Sequence, residues 1–357
     1  MEAERLCDAL GEIFCLTFIQ HVDPAQALGR MGAYPDTLVE LDPDDMYERR
    51  TSFDAGYPTM AGAVAVGGWT LILEPYGFEA AGTLLAEMSR GTVALSVLRH
   101  DYAHPHFTYA VDGVELVTFD PEWMDSVWGA EPHRLLAPMH TVGFDPVDSF
   151  EDAEMIEDAV PRMMRLASVI TGVTPTPEML TAPMLAAQIE PWFTSARPNG
   201  GSLYPDPANG RPEWNTLVEA IAAASPTAQR AAALGEARRL SDLFDLGNVP
   251  GLAEVLADAE AGRPARVLMD SPLGKQVREW LRLSSLAHGS LNDPLVSMSA
   301  DARDRGGDLG WFARVLRGAL YPDPDIAVRT ALYGLGFESS SRTDHAAHAA
   351  ALRRLCD

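Results

Sequence analysis

The stretch Ala63-Val64-Ala65-Val66-Gly67-Gly68-Trp69-Thr70-Leu71-Ile72-Leu73-Glu74-Pro75 decides the fold of the first half of the chain. Two apolar runs flank Gly67-Gly68. A two-residue glycine link suits the primed turns that match strand twist, so the segment reads as a β-hairpin. The same signal returns further on, where FTYAV (107–111) and VELVTF (114–119) are joined by Asp112-Gly113. A type I′ turn needs φ > 0 at both central positions, and Asp-Gly supplies it. TVALSVLRH (92–100) precedes this pair, and Thr37–Leu41 is a further short candidate strand. Four or five antiparallel strands interleaved with helices make an α+β domain.

The helical segments are read from apolar spacing and caps. Residues 2–31 are predicted as two helices: Leu6, Leu10, Phe14 and Phe18 recur every four residues, and Asp23-Pro24 restarts the chain as a cap and first-turn proline. On that reading Cys7 and Cys15 share one helix, about 12 Å apart along its axis and too far for a bridge. Residues 79–89 are predicted helical, ending at Gly91. Ser149 is predicted to cap a helix running to Ile170, closed by Gly172 and kinked or split at Pro161. Thr176-Pro177-Glu178 opens another.

The segment 195–212, SARPNGGSLYPDPANGRP, is rich in Gly, Pro, Asn and Ser. It divides an α+β domain (1–194) from a helical one (213–357), whose helices are predicted at about 213–224, 226–246, 250–261, 272–288, 308–320, 324–335 and 343–356. Charge changes at the same place. Residues 1–200 hold 31 acidic residues against 10 basic, a balance of −21, which leaves −3 of the total −24 for the remainder. The acidic half therefore expects basic or neutral partners rather than phosphate-rich ones. The 357 residues, 47% of them hydrophobic, are enough for two cores. Three cysteines (Cys7, Cys15, Cys356) fit reduced thiols. The start, MEAERL, lacks a basic n-region, and no apolar run approaches a membrane span. A cytoplasmic, non-membrane protein is expected.

Candidate chemistry is sparse. His100-Asp101-Tyr102-Ala103-His104-Pro105-His106 gathers three imidazoles and a carboxylate in one connection. His100, His104 and His106 are the candidate ligands for a transition metal, against the alternative of a solvated polar loop. His345 and His348 share a helix face near Cys356 but do not complete a site. Asp42, Asp44, Asp45 and Glu48 offer the four carboxylates a Ca²⁺ or Mg²⁺ site uses, without an EF-hand glycine or spacing, and a helix N-terminus explains them equally well; Asp42, Asp44 and Asp45 are the acids expected to meet a protein partner. Trp123 and Trp128 flank a loop after the last predicted strand and offer a recognition surface, or a cover for the sheet end. No G-x-S-x-G, HExxH or dinucleotide-binding motif is present, and the single lysine, Lys275, lacks a Walker A context. A C-terminal half at −3 has no basic stripe for nucleic acid.

The order CLTFIQ, VGGWTLILEPYG, GTVALSVLRH, FTYAVDG, ITGVTPTPEML, over roughly residues 15–180, resembles a domain family of unknown function found mainly in actinobacteria. The most specific element is Val66–Leu71 with Glu74-Pro75 and Gly77. The resemblance implies a bacterial α+β module. It carries over no activity and no catalytic residue, and the histidine-rich loop looks like a local departure from the family. Residues 200–357 lie outside it.

The expected function is a non-enzymatic protein-interaction module, immunity- or antitoxin-like or regulatory, whose acidic N-terminal domain binds a basic protein partner without a cofactor. A metal-assisted hydrolase and a small-ligand sensor are the alternatives.

Overall fold

A computed structural model describes residues 2–147, 155–198, 203–204, 212–336 and 345–356. The chain divides into two compact units, Met1–Ala196 and Arg197–Asp357.

Unit 1 is built on one antiparallel sheet whose nine described strands replace the four or five expected. They are β1 (Ile13–Gln20), β2 (Val39–Leu41), β3 (Met60–Val66), β4 (Trp69–Pro75), β5 (Val93–His100), β6 (His106–Val111), β7 (Val114–Phe119), β8 (Val127–Trp128) and β9 (Met184–Gln188), in the order β2-β9-β3-β4-β1-β5-β6-β7-β8. Both glycine-marked hairpins form as read. Val66 pairs with Trp69 across Gly67-Gly68 (φ 57° and 86°), and Val111 with Val114 across Asp112-Gly113 (φ 49° and 85°). The edge strands β2 and β8 have only three and two residues, which leaves little unpaired backbone for another chain.

The largest correction concerns β1. Residues 2–31 are not two helices: helix α1 (Glu2–Leu10) stops before Gly11, and Ile13–Gln20 forms the strand between β4 and β5. Phe14 to Ile19 are all buried. A strand covered on both faces needs apolar residues at every position, so alternation vanishes and a four-residue spacing arises by accident. Cys7 and Cys15 therefore lie on different elements.

Helices cover both sheet faces. Phe14, Leu16, Phe18, Leu71, Leu73, Leu95, Val97, Phe107 and Phe119 pack against α1, α3 (Pro43–Thr51), α5 (Leu136–Val142), α6 (Ala159–Thr171) and α7 (Pro177–Thr181). The opposite face carries smaller residues, among them Cys15, Ala61, Ala63, Ala94 and Ala110. These receive Leu28 of α2 (Pro24–Arg30) and Leu84, Leu85 and Met88 of α4 (Thr83–Met88). Caps set the helix starts: Asp23, Asp42 and Thr176 accept from the backbone N–H of Gln26, Asp45 and Met179. Pro161 neither kinks nor splits a helix. It is the third residue of α6, in the first turn, where its missing N–H has no intrahelical acceptor to lose. The proposed cap Ser149 lies outside the described residues.

Unit 2 is helical in its described residues: α8 (Pro212–Ala223), α9 (Pro226–Leu243), α10 (Leu252–Glu260), α11 (Pro272–Asn292), α12 (Ala300–Leu320), α13 (Pro324–Ala331) and α14 (His345–Cys356). Trp280 of α11 meets Phe312 of α12 edge to face at 5.2 Å. Helix α12 starts eight residues before the expected 308, capped by Ser299 through the Ala302 N–H. His348 lies on α14, while the side chain of His345 is outside the described set. No described helix is long and apolar enough to cross a membrane.

Candidate functional site

One end of the unit 1 sheet brings together the start of β1 and the ends of β4 and β5. Tyr76 N–H donates to Ile13 O (3.0 Å) and Asp101 N–H to Glu12 O (3.1 Å), so the residues just past β4 and β5 are held against β1. A row of aromatic rings gathers there. Tyr47 of α3 packs on Tyr76 with centroids 4.6 Å apart, Phe78 meets His100 at 6.0 Å, and His100 meets Tyr102 at 6.4 Å. All four non-histidine rings are exposed, Phe78 by 52% and Tyr102 by 75%. Tyr76 has a left-handed backbone (φ 55°), an uncommon conformation for a bulky residue.

Acids border this row. The Tyr102 hydroxyl donates to Glu12 Oε2 at 2.7 Å, and that bond to a carboxylate raises the phenol's pKa. Asp101 is neutralised by Arg99, which grips both its oxygens (2.8 and 2.9 Å) and reaches back to Cys7 O. Asp44 and Asp45 are exposed in the first turn of α3, one turn from Tyr47, while Asp42 is engaged as the cap.

The three candidate histidines separate. His100 Nδ1 accepts from Tyr102 N–H (3.3 Å) and belongs to the aromatic row. His106 has Nδ1 3.1 Å from Pro105 O, and its ring meets Trp128 of β8 at 5.4 Å. Only His104 meets carboxylates: its Nδ1 lies 3.1 Å from Asp120 Oδ2, and ligand atoms of His104, Asp120 and Glu122 lie within 4.8 Å of one another. The other Asp120 oxygen accepts from Glu122 N–H at 2.9 Å. Burial first, and then the charge of Asp120, raises the Glu122 carboxyl above its ordinary range. A cleft of about 380 Å³ opens here, lined by His100, Tyr102, His104, Glu122 and Val160. Trp123 is half-buried in the connection between β7 and β8.

Sequence reasoning missed one group altogether. Glu74, the last but one residue of β4, is completely buried, and its oxygens accept from Glu79 N–H (2.9 Å) and Ala80 N–H (3.0 Å). It thereby caps the 3-10 turn Glu79–Ala81. Burial, and next the charge of Glu79, pushes its carboxyl up to about 7. Cys15 lies opposite on β1, and its thiol is also raised, mainly by burial and then by Glu74. A β-carbon at Gly77 would stand 2.9 Å from Glu74 Cβ, so the chain can fold back over the carboxylate only with glycine there. The signal was in the quoted Glu74-Pro75-Tyr76-Gly77, where a charged residue ends an otherwise apolar strand.

No curated protein and no solved structure matches the chain. The model of a family of unknown function, DUF6461, matches residues 3–189, a span that holds the whole sheet end with its aromatic row, the His104 cluster and Glu74; the chain belongs to that family.

Proposed function

We propose that unit 1 is a protein-binding module that receives a cationic segment of a protein partner on the aromatic and acidic end of its sheet. The observation that carries this reading is the group of exposed rings Tyr47, Tyr76, Phe78 and Tyr102 around the half-buried His100. Large exposed rings gathered at one sheet end give up apolar area when covered, and their faces attract guanidinium and ammonium groups, by about 0.5–1 kcal/mol each at exposed positions. The excess of acids in the first 200 residues supplies long-range attraction for the same partner and speeds its encounter.

A titration tests it. The full chain binds a labelled arginine- and lysine-rich peptide, with affinity falling as salt rises, and a glutamate-substituted control peptide does not bind. The triple variant Tyr76→Ala/Phe78→Ala/Tyr102→Ala is expected to lose at least about tenfold in affinity, the sum of the ring contributions. Equal affinity in wild type and triple variant would mean that diffuse acidity alone attracts the peptide, and the reading would fail.

A further inference from the structure

We propose that His104, Asp120 and Glu122 form a binding site for a divalent transition-metal ion, Zn²⁺ before Mn²⁺. The three side chains come from two connections that the hairpin β6–β7 brings together. His104 precedes β6, and Asp120 and Glu122 follow β7, while Phe107 pairs with Phe119 between them. They present one imidazole nitrogen and two carboxylate groups, a mixed donor set that suits Zn²⁺ or Mn²⁺ better than Mg²⁺, which prefers oxygen alone.

The geometry is close to what an ion needs. Ligands at about 2.0–2.2 Å from a tetrahedral Zn²⁺ lie about 3.3–3.6 Å apart. The present donor atoms fall within 4.8 Å of one another, so closure asks at most about 1.5 Å of the widest pair, within reach of a side-chain rotation. The exposed His104 side chain can supply it, being 76% exposed and held on one side by the Asp120 contact. Asp120 and Glu122 set two carboxylates beside one imidazole, a locally negative corner that a divalent cation would relieve. The adjoining cleft leaves the remaining coordination positions open to water.

Such an ion would tie the β5–β6 connection to the β7–β8 connection, so binding stabilises the folded state by mass action. The inference stands on this donor set and not on the partner reading, and the two are tested by separate titrations. The experiment uses the full, untagged chain stripped of metal, titrated calorimetrically with ZnCl₂, MnCl₂ and MgCl₂ and followed by thermal melting. One saturable equivalent of Zn²⁺ and a raised melting midpoint are expected, with Mg²⁺ silent. His104→Ala is expected to lose that equivalent or weaken it at least about tenfold, and Glu122→Gln to weaken it similarly, since even groups supporting a metal ligand are worth about 10–100-fold. His104 is exposed, so its truncation leaves the fold intact. No saturable Zn²⁺ binding in the wild type, or unchanged binding in His104→Ala, would overturn the proposal and leave His104–Asp120 as an ion pair only.

Discussion

Replacing Glu74 with glutamine should remove a pH dependence that wild-type unit 1 carries. The Glu74 carboxyl stands at about 7 in the folded chain against 4.5 for the free group, because burial penalises its ionised form. Between those values the folded state binds the proton more tightly than the unfolded state does. Stability is therefore undiminished below pH 4.5, falls as pH rises towards 7, and levels off above it. At 1.36 kcal/mol per pKa unit, the shift from 4.5 to about 7 corresponds to about 3 kcal/mol. Glu74 is completely buried, so solvent screening takes little from this figure.

Glutamine has nearly the shape of the acid but does not ionise, and its single oxygen accepts only one of the two backbone N–H bonds that Glu74 accepts, a pH-independent cost of about 1–3 kcal/mol. Between pH 5 and pH 8 the stability difference should therefore move by about 3 kcal/mol in favour of Glu74→Gln. The remaining titratable groups are common to both proteins and cancel in the difference. Two units in one chain make a single global unfolding curve ambiguous, so the assay must be local. Hydrogen exchange of the β1 and β4 amides, read by mass spectrometry at matched pH, meets that need. The ratio of the two proteins' exchange rates should change about a hundredfold between pH 5 and pH 8. A ratio that stays constant would show that the buried carboxylate is not destabilised by ionisation, and the reasoning would be refuted.

Two further substitutions test the fold reading with the same local probe. Phe18→Ala removes a ring enclosed on the large-residue face of the central strand and should cost about 3–5 kcal/mol; a loss below 1 kcal/mol would contradict the placement of β1 at the centre of the sheet. Asp42→Ala removes the cap of α3 and should cost about 1 kcal/mol. It should leave the Glu74 pH dependence in place, since Asp42 is engaged with the Asp45 N–H while Glu74 accepts from Glu79 and Ala80.

What could be read from the sequence was local. Gly67-Gly68 and Asp112-Gly113 announced their hairpins because two-residue turns impose a backbone few other residues accept. The strands that escaped, β1, β8 and β9, escaped for different reasons. Strand β1 is apolar on both faces, so it carries no period of two. Strand β8 has two residues and no pattern to show. Strand β9 enters the sheet between β2 and β3 from the far end of the unit, a pairing that only tertiary packing specifies.

The His104 cluster was nearer to being legible than its dispersal along the chain suggests. Counting outward from Asp112-Gly113 pairs Val111 with Val114 and Ala110 with Glu115. One bulge then shifts the register, so that Tyr109 faces Val117 and Phe107 faces Phe119. Carried past the strand ends, that register sets the loop holding His104 beside Asp120 and Glu122. The seven consecutive residues His100 to His106 do not converge, and of their three histidines His104 is the one that meets the two carboxylates. Consecutive residues on a strand and its turn point apart, whereas residues equidistant from a hairpin turn converge. The same reasoning explains Glu74, whose neighbours come from the β4 end folding back on itself through Gly77. In an antiparallel sheet the residues able to act together are those at matching distances from the turns. Chemistry in a chain of this kind is therefore found by register before it is found by motif.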